Sequence, residues 1–218
     1  MITAKVSRKL IHAVLTADIV NSTKLDPAVG KKLLKEFEKI LKSCKVEFYR
    51  GDSFQAYMDG EPAGSLRLAM TCRTAAISMT AGEGEMSLSD LKISIGLGTV
   101  VKPVRSLGTA KGEAFLRSGR SLDYMQQGTG RRLSIVTGNE LADIGLMVLG
   151  DYMDAIYRKM TTKQAEVIYG LLKGITQQRL AEDLGKSKST VSQLAATGGW
   201  EEIERLLRQY EKLINQLL

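Results

Sequence analysis

Histidine, cysteine and tryptophan are almost missing from this chain of 218 residues, which holds one His, two Cys and one Trp. A lone imidazole, His12, cannot build a histidine metal site or a triad by itself, and its place in an apolar run makes it a sheet or core residue. Cys44 and Cys72 fall on helix or helix-edge positions, and without a secretion signal they read as free thiols, not a disulfide. Proline is scarce at three residues, and no Pro/Ser-rich linker, internal repeat or low-complexity tract divides the chain. Long hydrophobic runs are also lacking. The N-terminus has basic residues before an apolar stretch, as a signal peptide does, but that stretch is interrupted by His12 and Thr16 and ends at Asp18. Nothing approaches the ~20 apolar residues of a membrane span. The expectation is a cytoplasmic protein with no membrane partner.

Hydrophobic residues make up 44% of the chain and the formal net charge is +7, so it is globular and leans towards a polyanionic partner. From Asp151 onward, basic and acidic residues nearly cancel. Local charge on one surface therefore matters more than the sum.

The strongest local signal lies between Met160 and Trp200. Thr176 can cap a helix over 177–184 with Leu180, Ala181 and Leu184 on one face, and Gly185 tolerates a left-handed turn. Ser187 can cap a second helix over 188–196 with Val191, Leu194 and Ala195 inward. A preceding helix over 163–173 supplies the third member of a trihelical core. The outward positions Lys186, Lys188, Ser189, Thr190, Ser192 and Gln193, with Thr176 and Gln177 at the start of the first helix, are polar or basic. Such a surface suits the major groove of double-stranded DNA, with hydroxyls and lysines on phosphates and Gln on a base edge. The order Thr-Gln-Gln-x-Leu-Ala-x-x-Leu-Gly-x-Ser-x-Ser-Thr-Val-Ser resembles the region-4 helix-turn-helix of sigma factors and many bacterial regulators.

The first 150 residues read as β-α-β-β-α-β. Strands fall at 10–17, 45–50, 53–58 and 91–100, helices at 27–43 and 64–80, and 81–90 is a Gly-rich acidic loop. Gly51-Asp52 marks a tight hairpin. A helix over 113–127, a strand over 132–137 and a connecting helix over 139–157 follow. The expected fold class is α+β: a ferredoxin-like antiparallel sheet, covered by helices on one face, over residues 1–150, and an all-α helix-turn-helix domain over 151–218.

Asp18 ends the first strand and Asp52 sits in the hairpin beside it. With the backbone carbonyl of Ile19 they would make a hard oxygen site suited to Mg²⁺ and a nucleoside triphosphate. Each has a plainer reading: Asp18 as a cap for the turn at Asn21-Ser22-Thr23, Asp52 as a turn residue. TADIVNSTKL followed by YRGDSFQAYM resembles the two metal-binding strands of class III nucleotidyl cyclases. LKISIGLGTV resembles the next strand, and GEAFLRSGRSL the helix that stabilises their transition state. RGDSFQ is also similar to the Gly-Asp-x-Phe-Gln of the bacterial SatD-like family, which joins such a domain to a helix-turn-helix ending near a Trp. The resemblance implies Asp18, Ile19 and Asp52 as metal ligands and Arg120 as a nucleotide contact. It also places Phe48 where cyclases read the base with Lys, and Leu116 where they use Asn. Losing such a preorganised donor costs about 10²-fold or more in rate, so binding without turnover is the expectation for this half.

Gly96-x-Gly98 and Gly128-Thr-Gly130 lack the ending and context of phosphate loops. The apolar stripe Ile203, Leu206, Leu207, Tyr210, Leu213, Ile214 and Leu217 is either core or a homodimer seam. Taken together, the sequence leads to a DNA-binding regulator with a degenerate cyclase-like sensor, scaffold or dimerising module. The competing readings are a divalent-metal-dependent nucleotide enzyme and a protein-interaction module.

Overall fold

A computed structural model describes residues 11–80 and 86–217. Leu10, where the first strand was expected to begin, and 81–85 of the acidic loop lie outside the described residues. The order is β1 (His12–Val20), α1 (Pro27–Ile40), β2 (Lys45–Tyr49), β3 (Ser53–Met58), α2 (Ser65–Met79), β4 (Asp90–Gly98), α3 (Glu113–Gln126), β5 (Leu133–Val136), α4 (Glu140–Tyr157), α5 (Thr162–Leu172), α6 (Gln177–Asp183), α7 (Lys188–Thr197) and α8 (Trp200–Leu217). The sheet runs β2-β3-β1-β4-β5, and the first four of these strands pair antiparallel as expected. β5 instead joins β4 in parallel, so the sheet is mostly, not wholly, antiparallel.

Local chemistry starts five of the helices. Asp26 accepts hydrogen bonds from the Ala28 and Val29 amides ahead of Pro27, and Asn139 accepts one from Ala142. Thr161 and Gln164 form a reciprocal capping box on α5. Thr176 caps α6 through the Arg179 amide, and Ser187 caps α7 through that of Thr190. The hairpin between β2 and β3 turns through Arg50 (φ +51°) and Gly51 (φ +80°), the paired positive angles of a tight hairpin turn.

Side chains alternate across the sheet. Ala13, Leu15, Ala17 and Ile19 of β1 enter the main core under α1 and α2, while Val14 faces a smaller cluster with Tyr57, Leu107, Ala114 and Phe115. α3 therefore covers the face opposite α1 and α2, and helices are not confined to one side. Gly96 and Gly98 let it lie close: a Cβ on Gly96 would sit 2.2 Å from the Ala114 carbonyl oxygen, and one on Gly98 2.8 Å from the Glu113 Cβ. These glycines serve helix–sheet contact.

The helical third is not set apart. α5 packs along α2, and one hydrophobic cluster runs from Ala13 through Ile168, Ile203 and Ile214. The α8 stripe is consumed here: Ile203, Leu207, Tyr210 and Ile214 are fully buried within the chain, and the Tyr210 hydroxyl meets Ser65 Oγ at 2.7 Å. Of the rest of the stripe, Leu206 and Leu213 are half-buried against the same core and Leu217 is exposed. Exposed apolar residues gather on α4, at Leu141, Ile144, Met147, Val148 and Tyr152, and others stand at Leu116 and Tyr124 of α3. No helix among the described residues is long and apolar enough to cross a membrane. Cys44 and Cys72 are free thiols.

At the centre, Arg73 of α2 is wholly buried. Its guanidinium makes a two-pronged contact with Asp90, at 2.9 and 3.1 Å, and a third to Asp154 of α4. The Arg132 side chain binds Asp90 at 2.6 Å, its amide donates to Asp154 at 2.7 Å, and the Tyr157 ring lies 4.9 Å from the Arg73 guanidinium carbon. Breaking a buried pair by deleting one partner leaves the other charge uncompensated, at a cost of about 3–5 kcal/mol. Arg73→Met is expected to lose that much stability in urea unfolding; a loss below about 1 kcal/mol would mean the two carboxylates find other partners on relaxation.

Candidate functional site

β1 continues past Asp18 to Val20 because Asp18, Ile19 and Val20 pair with Lys92, Leu91 and Asp90 of β4. Asp18 therefore does not cap the turn that follows. Its carboxylate projects on the α3 face and accepts a hydrogen bond from Gln126 Nε2 at 3.2 Å. The Ile19 amide donates to the Asp52 carbonyl at 2.8 Å, locking strand end to hairpin. A strand residue's N–H and C=O point the same way, so the Ile19 carbonyl also opens towards the hairpin. The Asp52 amide closes the turn on Tyr49 while its carboxylate accepts from Ser22 Oγ at 3.0 Å. The two carboxylates are thus brought to one sheet end, together with Ser22 and Gln126, which had no motif to mark them. Among the described residues no third acidic, His or Cys side chain completes a metal cluster. A cation there would rest on two carboxylates, the Ile19 carbonyl and water, a set that fits Mg²⁺.

The other implied residues fall elsewhere. Phe48 lies on the opposite, helix-covered face against Phe54, with ring centroids 5.8 Å apart. Arg120 is exposed on α3, and the contact from that helix to Asp18 comes from Gln126. Leu116 is 51% exposed and walls a cleft of about 650 Å³ with Thr16, Tyr49, Gln55, Lys111 and Phe115. Below α3, one registered row crosses all five strands: Glu47, Gln55, Thr16, Ser94 and Ser134. Gln55 donates to Thr16, Thr16 to Ser118, and Ser121 to Ser134. Glu47 accepts from the Leu107 and Gly108 amides and so holds the loop over the cleft; the Leu107 bond is the main reason its carboxyl sits below the usual range. His12 is buried beside Tyr57, as expected of a sheet residue.

The second candidate surface is α6–α7. Val167, Leu171, Leu180, Ala181, Val191 and Ala195 form the trihelical core, and Gly185 (φ +61°) makes the turn. Lys188, Ser189, Ser192 and Gln193 are exposed on α7, and their side chains bond to no described residue; the Gln193 backbone carbonyl accepts from Thr197 Oγ1 at 2.8 Å. Lys186, expected among the outward positions, is half-buried, with Nζ 3.3 Å from Glu166 of α5. The Thr176 hydroxyl is engaged in capping α6, Thr190 Oγ1 shares a hydrogen bond with Ser187, and Gln177 is half-buried. Next to α7, Arg179 is paired with Glu182 and Asp183, so the flank is mixed in charge.

No family model and no curated protein matches the chain. Among solved structures, it is similar to a bacterial light-regulated adenylyl cyclase at 15% identity and a TM-score of 0.39, over 58% of this chain and 75% of that one. The monomeric guanylyl cyclase domain of the RhoGC fusion protein from the aquatic fungus Blastocladiella emersonii is similar at 16% identity and a TM-score of 0.38, over 53% of this chain and 75% of that one. At these scores the common ground is a mixed α/β sheet, and the chemistry of the site must come from this chain's own side chains.

Burial, and then the charge of Asp52, raises the Asp18 carboxyl above its ordinary value. A raised carboxyl favours the folded state below the unfolded pKa, and that contribution is lost as pH rises through the folded value. Asp18→Asn is therefore expected to raise the denaturant midpoint at pH 7 and to change it little below pH 3.8, the ordinary Asp value. An equal effect at both pH values would show that ionisation of Asp18 carries no penalty.

Proposed function

We propose that this chain is a DNA-binding regulatory protein that presents α7 to the major groove. The observation that carries the reading is the outer face of α7. Four polar side chains, Lys188, Ser189, Ser192 and Gln193, are exposed together with no partner among the described residues, on a helix fixed from behind by Val191 and Ala195. Lys188 and the serines suit phosphate oxygens, while the amide of Gln193 can pair with the N6/N7 edge of adenine. The cap at Ser187 leaves the first turn of α7 rigid, which favours a fixed docking geometry. Binding of this kind releases counterions and weakens steeply with salt.

Fluorescence anisotropy with duplex DNA at several salt concentrations tests this. Lys188→Glu with Gln193→Ala is expected to weaken specific binding about tenfold or more and to lower the salt slope by about one. Unchanged affinity and slope in the double variant, with an unaltered melting curve, would remove α7 from the interface.

A second reading rests on Asp18 and Asp52. Two like charges at one strand end, one of them with a raised pKa, would be relieved by a divalent cation and, through it, a nucleoside triphosphate. Thermal unfolding with Mg²⁺ and ATP is the check. A rise in Tm that is lost in Asp18→Asn/Asp52→Asn supports a nucleotide-responsive first half, and a rise that survives the double change rejects these ligands.

A further inference from the structure

A cleft of about 1050 Å³ opens between α1, α2 and α5, on the side of the molecule away from Asp18 and from α3. Its floor is apolar: Ile40, Met58, Leu68 and Leu172. Its rim is basic, with Lys35 and Lys39 from α1, Lys42 from the turn after it, Arg67 from α2 and Lys173 at the C-terminal end of α5. Two acids stand among them, Glu36 and Glu38. Glu36 is already committed: it accepts from the Tyr169 hydroxyl and lies 2.8 Å from Lys39 and 3.8 Å from Lys173. Arg67 shares Glu211 at 3.4 Å. Lys35 and Lys42 form no ion pair with any described residue and remain a positive edge over the apolar floor.

We propose that this cleft binds a small apolar anion, an acyl or aromatic body carrying a carboxylate, phosphate or sulfonate head. The size falls at the upper end of small-molecule sites, and apolar lining with a few charged groups at the mouth is their usual chemistry. The body would cover Ile40, Leu68 and Leu172, and the head would rest on Lys35 and Lys42, where a charge-assisted contact needs no deeply buried charge. The apolar residues are recessed below long lysine side chains, so a flat bilayer would meet the rim and not the floor. Charge complementarity selects the sign of the ligand, and concavity selects its size. The proposal stands whether or not α7 binds DNA.

Calorimetric titration of the full chain with decanoate tests it, with decyltrimethylammonium as the opposite-charge control and phosphatidylglycerol vesicles as the surface control. Saturable one-to-one binding of decanoate, weaker by about tenfold or more in Lys35→Glu/Lys42→Glu, is expected from the loss of charged contacts. Leu68→Trp, which intrudes on the floor, should weaken decanoate as well, and circular dichroism melts show whether each variant is folded. The proposal is overturned by no saturable binding, by equal affinity for the cationic amphiphile, by indifference to the charge reversal, or by binding to vesicles alone.

Discussion

Burial of Arg73 is the constraint on which the arrangement of this molecule depends. A guanidinium with no solvent access is tolerable only where carboxylates meet it, and burial works against its charge while Asp90 and Asp154 more than restore it. Those two residues stand at the start of β4 and inside α4, and Arg132, at the entry to β5, binds both. One side chain thereby dictates where α2, β4, β5 and α4 meet. The bidentate fork on Asp90 adds direction to attraction, because guanidinium and carboxylate must be coplanar to make it. Asp90 also accepts from the Leu91 amide, which sets where β4 begins. Since β4 pairs with β1 along Asp18, Ile19 and Val20, the position of the carboxylate pair follows from an ion network on the opposite face of the sheet.

The polar row beneath α3 has a comparable part in orienting that helix. An apolar interface of this area would let α3 slide; hydroxyls at Thr16, Ser118, Ser121 and Ser134, with the amide of Gln55, have partners only in one register. Among the described residues, Ser94 Oγ is the buried side-chain polar atom left without one. Gly96, in the next position on that face of β4, permits the close approach that makes the short hydroxyl contacts geometrically possible. With α3 so placed, Gln126 reaches Asp18 while Arg120 points to solvent.

Features with a local cause were legible in the sequence. Caps at Thr176 and Ser187, the Gly51 turn and the α6–α7 pair all come from residues acting on neighbours within a turn or two. Strand pairing of Asp18 beside the hairpin also followed from the β-α-β-β order. What escaped depends on residues far apart. Arg73 looks like one polar position on a helix of small and apolar residues, and nothing within α2 says that Asp90 and Asp154 will close over it. Gln55, Thr16 and Ser134 alternate as a solvent-facing strand row would, and only α3 makes them interior. The α8 stripe has the same periodicity whether it meets another chain or, as here, α2, α7 and the turn at Pro62–Gly64. Lys186 reads in sequence as an outward position, and its partner, Glu166, comes from another helix.

That continuous core limits how the two halves can influence each other. α2 lies between the sheet and α5, and its run of Ala, Ser, Thr and Cys lets both approach closely. No flexible linker separates them, and hinge motion of the helical third would have to expose Ile168, Ile203 and Ile214 together. Such an opening resembles partial unfolding more than domain swing, because the contacts broken are those of the main core. Any signal from the sheet to α7 must therefore pass as a small displacement through α5 or α8. Polar contacts along these routes include Glu36 of α1 with Tyr169 and Lys173 at one side, and Arg67 with Glu211 and Ser65 with Tyr210 at the other. The first of these forms a wall of the basic-rimmed cleft, so occupancy there would act on α5 directly, whereas the carboxylate pair reaches α5 only through β1, β4 and α2. A ligand alters an equilibrium only through a difference in its contacts between two states. On this architecture the cleft, more than the carboxylate pair, is the place where such a difference reaches the helices that hold α7.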